Sequence, residues 1–139
     1  WTKQDAAGFK TRAACIVKEY GGFSIAGGLH LKGDVTLGEN TADNGGTRLA
    51  WAAFQRAQAS HPSEPADGFT PAQRFFVAFG QSWCTNQTAE SARLQVLTDP
   101  HSLAEFRVNG VLRNMTEFRE AFACKPGAPL APKQTCRVW

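Results

Sequence analysis

At 139 residues the chain has the length of one domain, which at this size buries roughly two-thirds of its unfolded surface. Hydrophobic residues at 42% against charged residues at 19% argue against a disordered chain. The net charge of +3 is spread along the sequence without a Lys/Arg cluster, which argues against nucleic-acid binding.

The chain begins at Trp1 without an initiator methionine or a leader, and the helical pattern starts almost at once. This reads as an excised or truncated piece, and an anchor upstream stays open. No apolar run approaches the roughly 20 residues of a membrane span, so no membrane contact is expected of this segment.

The first predicted helix runs from about Lys3 to Tyr20. Thr2 and Asp5 are spaced as a capping box, and Phe9, Ala13, Ile16, Val17 and Tyr20 form one stripe. Gly21-Gly22 ends it. Phe23 to Leu37, with Gly27-Gly28 and Gly33 among apolar residues, predicts a loop or short extended pieces. A second helix is expected from about Gly38 to Ala59, and it carries Glu39 and Asp43 four residues apart on one face. Gly45-Gly46 inside it costs roughly 1 kcal/mol per glycine relative to alanine, so the close approach of another backbone is expected there.

His61 to Gly68 reads as a surface loop, and Thr70-Pro71 then starts a third helix to about Cys84, with Phe75, Phe76, Phe79 and Trp83 as core. Thr88 can cap a short helix to about Leu97, and Asn114 with Glu117 resembles a box for another to about Ala123. Thr98 to Leu112 between them reads as irregular and polar. The tail from Cys124 to Trp139 has three prolines and is expected to wrap over the surface. Cys15, Cys84, Cys124 and Cys136 lack Cys-x-x-Cys spacing, so disulfides fit better than a structural zinc site. Two sequons, at Asn86 and Asn114, are compatible with secretion but arise often by chance.

Several residues admit a bland and a functional reading. Glu39 and Asp43 can be an acidic first turn favoured by the helix dipole, or a metal ligand with a carboxylate that orients a neighbouring histidine. His101, after Asp99-Pro100, is either a surface residue or a donor to a developing oxyanion. Arg107, between Phe106 and Val108, either forms a structural salt bridge or binds an acceptor such as a substrate carbonyl. His30, between Leu29 and Leu31, reads as a hydrogen-bonded packing residue. Because the chain's histidines, His30, His61 and His101, form no His-Glu-x-x-His motif, any zinc site here is half of one.

The strings Ala26-Gly27-Gly28-Leu29-His30-Leu31 and Thr36-Leu37-Gly38-Glu39-Asn40-Thr41-Ala42-Asp43-Asn44-Gly45-Gly46 closely resemble the C-terminal part of the neprilysin and endothelin-converting-enzyme family of zinc metallopeptidases. The match continues in order through Phe75 to Cys84, Thr98-Asp99-Pro100-His101-Ser102, Phe106-Arg107-Val108-Asn109-Gly110 and the terminal Cys136-Arg137-Val138-Trp139. Trp1 to Cys15 looks like the segment just after the family's His-Glu-x-x-His helix.

That resemblance implies a mainly α fold: the helical C-terminal part of a thermolysin-like (gluzincin) catalytic domain, with short extended segments and loops, as one unit over residues 1–139. It implies Glu39 as the third protein ligand of zinc, beside two histidines supplied upstream. Asp43 would accept a hydrogen bond from a ligand histidine. His101 would stabilise the oxyanion as water attacks the peptide carbonyl, and Arg107 would hold a substrate carbonyl. Trp83 matches a position lining the pocket for the residue after the scissile bond, while Asn44 and the glycine pair match tight helix packing.

The same resemblance pairs Cys15 with Cys136 and implies an oxidising location, whether extracellular, periplasmic or an ectodomain. It leaves Cys84 and Cys124 free or paired in an unfamiliar way. The implied partners are peptide substrates and the missing N-terminal part of the protein. The isolated chain is expected to bind zinc weakly and to be inactive. The alternatives are a non-catalytic, peptidase-derived binding or scaffold module and a stand-alone disulfide-stapled helical domain.

Overall fold

The caps written into the sequence form. In the computed structural model, which describes residues 1–139, Thr2 accepts from the Asp5 amide while the Asp5 carboxylate accepts from the Thr2 amide, opening α1 (Lys3–Gly21). Thr70 and Gln73 close a second box ahead of Pro71 in α3 (Pro71–Ser82). Thr88 accepts from the Ser91 amide to start α4 (Ala89–Thr98). Each such cap contributes about 1 kcal/mol. The remaining helices are α2 (Leu37–Ser60), α5 (Ala104–Leu112) and α6 (Thr116–Ala121). No strand forms, and extended backbone pairs only as isolated bridges, Ser24 with His30 and Ala66 with Phe69.

Four expectations fail. The stretch from Thr98 to Leu112 is not irregular throughout: α5 occupies its second half and buries Phe106, Gly110, Val111 and Leu112. Arg107, Asn109 and Gly110 dilute its apolar period in sequence, and packing on both sides overrides that weak local signal. Asn114 does not cap α6; Met115 occupies its N-cap without a side-chain cap bond, and Asn114, 2% exposed, instead donates to the Gly110 carbonyl in the last turn of α5. The tail does not simply cover the surface, since Ala131, Cys136 and Val138 are buried. The third helix also ends at Ser82, two residues short of Cys84.

Two apolar clusters meet along α5. Phe106 joins Ile16 and Tyr20 of α1, Leu31, Val96, Leu103, Cys136 and Val138. Val111 and Leu112 join Trp51 of α2, Phe76 of α3, Met115 and Phe118. α2 packs on both α1 and α5, but the residues it buries there are mainly polar or small: Asn40, Thr41, Asn44, Gly45, Thr47 and then Trp51. Buried polar groups require partners, and Asn44 and Asn114 supply them to each other. Asn114 Nδ2 donates to Asn44 Oδ1 at 3.1 Å and to Glu19 Oε1 at 2.7 Å. Its Oδ1 accepts from the Cys136 amide at 2.8 Å, and its carbonyl accepts from Arg48.

Gly110 is required where α5 crosses α1, since a Cβ there would lie 2.5 Å from the Tyr20 hydroxyl. Gly45 is likewise filled against the Trp139 indole, whereas Gly46 faces open space. Close approach therefore accounts for one glycine of the pair, and a side chain rather than backbone makes it. A disulfide joins Cys15 of α1 to Cys136 of the tail, across a sequence separation of 121, while Cys84 and Cys124 are free. No helix is long and apolar enough to cross a membrane.

Candidate active site

The first turns of α2 set Glu39 and Asp43 one above the other, and α5 directs Arg107 at both. Arg107 Nε donates to Asp43 Oδ2 at 2.6 Å and its Nη2 to Asp43 Oδ1 at 2.8 Å, a two-point match of guanidinium to carboxylate. The same Nη2 reaches Glu39 Oε2 at 3.4 Å. Arg107 and Asp43 are each 13% exposed, whereas Glu39 is 43% exposed. The hydrogen bond to Asp43 holds the Arg107 pKa above its ordinary value, against the opposing effect of burial. The guanidinium also lies over the Trp83 ring, 4.1 Å from its centroid.

His101 enters from the loop between α4 and α5. The Asp99 carboxylate accepts from the His101 amide at 2.8 Å and pairs with Nδ1 at 2.7 Å. A carboxylate only accepts, so Nδ1 carries the proton and Nε2 points the other way. Nε2 lies 3.5 Å from Glu39 Oε2. Bonds from the His101 backbone and ring, in that order, hold the Asp99 pKa below the usual carboxylate range. An open groove beside these groups is lined by Trp83, Asn86, Gln87, His101 and Arg107, among others.

Trp83, His101 and Arg107 line this groove, and Glu39 and Asp43 adjoin it through their contacts with Arg107 and His101. His30 does not join them, because its Nδ1 donates to the Gly21 carbonyl at 3.2 Å. His61 caps the far end of α2. The disulfide lies apart, between α1 and the tail. Asp99 is the site residue that sequence reasoning passed over as a mere neighbour of His101. Its two-residue spacing before a histidine in a turn was the available signal.

A catalytic zinc site takes three protein ligands, usually with histidine among them. No group of three or more His, Cys, Asp or Glu side chains in this chain is placed to hold a metal ion. Both Asp43 oxygens are engaged by Arg107, and the exposed Glu39 carboxylate remains as a donor. The residues present could supply such a site with one ligand and not with three.

The peptidase family M13 model matches residues 1–138. Neprilysin-3 of Drosophila melanogaster is 42% identical over 143 aligned residues, covering 100% of this chain and 18% of that protein. Human endothelin-converting enzyme 1 is 42% identical over 100% of this chain and 18% of its own length, and human neprilysin 43% over 100% and 19%. The inhibitor complex of the Mycobacterium tuberculosis zinc metalloprotease Zmp1 matches with a TM-score of 0.92 at 34% identity, over 100% of this chain and 22% of that one. The chain spans about a fifth of the length of the curated relatives it matches.

Proposed function

The chain belongs to peptidase family M13, and on that premise we propose that it forms one wall of the active site of a zinc metalloendopeptidase acting on peptides. The observation that carries this reading is the cluster of the exposed Glu39 carboxylate, the clamped Asp43–Arg107 pair and His101, beside a groove that Arg107 and His101 line. Glu39 would hold the metal, beside two histidines from a part of the protein outside these residues. Zinc, when bound, supplies Lewis-acid polarisation of the scissile carbonyl and activation of water.

This chain's own groups orient and bind. Asp43 spends one lone pair of each oxygen on Arg107 and keeps others, since a carboxylate has about four acceptor sites. It can therefore also accept from the ring N–H of a ligand histidine and fix that ring's tautomer. His101 is held through Nδ1 by Asp99, which leaves Nε2 aimed away from it; in the imidazolium form Nε2 would donate to the carbonyl oxygen as negative charge develops there. Arg107 uses Nε and Nη2 on the carboxylates, leaving Nη1 to donate to a substrate carbonyl on the leaving-group side. Trp83 supports the guanidinium and offers an apolar wall to the residue after the scissile bond. The Cys15–Cys136 disulfide supports an oxidising location, extracellular, periplasmic or on an ectodomain.

With a single carboxylate to offer, the isolated chain is expected to bind zinc weakly and to hydrolyse no peptide. Titration calorimetry with zinc and a fluorogenic peptide assay test both points. Stoichiometric zinc with turnover by this chain alone would overturn the division of ligands. In a protein joining this segment to the histidine-bearing part, Glu39→Val should abolish zinc retention and turnover together.

A further inference from the structure

A buried polar chain runs behind the charged groove. Thr36 Oγ1 donates to the Lys32 carbonyl at 3.1 Å, Asn40 Nδ2 donates to Thr36 Oγ1 at 2.8 Å, and Ser102 Oγ donates to Asn40 Oδ1 at 2.8 Å. The three side chains are 4%, 0% and 3% exposed, so water cannot replace any of these partners. The direction of donation is set from one end. The Thr36 proton goes to a carbonyl, its oxygen can then accept from the Asn40 amide, and the Asn40 oxygen is left to accept from Ser102.

The two residues at the end of this chain are the immediate sequence neighbours of two site residues: Asn40 follows Glu39, and Ser102 follows His101. One buried hydrogen bond therefore joins the helical turn that carries Glu39 to the loop that carries His101. Lys32, where the polar chain begins, also reaches the last turn of α4, which leads into that loop, its Nζ donating to the Leu97 carbonyl at 2.9 Å. From α4, Gln95 Nε2 donates to the carbonyls of His101 and Ser102 at 3.3 and 3.4 Å. Those contacts orient the loop backbone but do not tie it to α2.

We propose that Asn40 and Ser102 are positioning residues, a latch that fixes His101 relative to Glu39. The proposal rests on the peptidase reading above. The Ser102 hydroxyl and the Asn40 amide are turned to each other, so both act through the spacing of Glu39 and His101, now 3.5 Å between Nε2 and Oε2. Misplacing a catalytic group by about 1 Å can cost as much as about a hundred-fold in rate.

The test uses Ser102→Ala, with Ser102→Cys as a second variant that keeps a side chain in the site but donates weakly. In a protein joining this segment to the histidine-bearing part, both should lower kcat by about ten- to a hundred-fold, with KM and zinc content near those of the parent. A merely structural role would lower the melting temperature and leave kcat per zinc-loaded site unchanged, which would overturn the latch. In the 139-residue chain, the 15N heteronuclear NOE of the His101 amide should fall in both variants while that of α2 amides holds. An unchanged His101 NOE would also overturn it. If the parent shows no turnover, the peptidase reading fails and the NOE alone decides the latch.

Discussion

Asp43 and Glu39 look equivalent in sequence and differ in the fold because only Asp43 faces the guanidinium of Arg107 end to end. Removing one partner of a largely buried pair leaves the other charge uncompensated. Arg107→Met should therefore destabilise the chain by about 3 kcal/mol, and adding Asp43→Leu should recover much of that loss. Urea denaturation of both single variants and the double variant checks this; losses that simply add would show that the pair is not coupled.

Glu19 is a different residue-scale case. Its carboxyl is held above the ordinary value of 4.5, first by burial, against the favourable bond from Asn114 and the charge of Arg113. A pKa raised in the fold means that the native state binds the proton more tightly than the unfolded one. This contribution is thus fully present below 4.5 and is lost as pH rises through the higher native value. Glu19→Gln should remove that decline, read as urea midpoints compared between about pH 4 and about pH 7. A parent and variant with parallel pH profiles would contradict the assignment.

Among the elements, the capped helices were legible. Thr2, Thr70 and Thr88 announce their helices through local chemistry, which acts within a few residues and survives in any context. α5 was not legible, because its nine residues divide their apolar side chains between two clusters and carry Arg107 between them. α2 adds a contrast between adjacent glycines. A Cβ at Gly46 meets nothing within 4 Å, while one at Gly45 runs into the Trp139 indole. Gly46→Ala should stabilise the chain by about 0.5–1 kcal/mol through helix propensity, while Gly45→Ala should destabilise it by displacing Trp139. Thermal melts of the two variants should move in opposite directions.

Across the whole molecule, 26 of 139 residues are buried, a small core divided into two clusters with a polar seam between them. Such a chain leans on its covalent link. Closing a loop across a separation of 121 residues is worth about 4–5 kcal/mol on the chain-entropy model. Cys136→Ser should lower the unfolding free energy by a large part of that amount, measured by denaturation of the oxidised parent and the variant; an unchanged midpoint would show that the closed loop adds nothing.

Helix caps, the acidic spacing on α2 and the ordered motifs of the family were determined by the sequence alone, because each is local or is carried by residue identity. The engagement of Asp43 by Arg107, the holding of His101 by Asp99, the burial of Asn114 and the Asn40–Ser102 bond were decided only by the tertiary structure. These contacts join residues brought together by packing, and apart from the Asp99–His101 pair they span 62 or more positions in the chain or depend on which face of a helix is buried. Local propensity carries no record of such distant partners, and the cost of leaving a buried polar group unpaired selects them once the helices have docked.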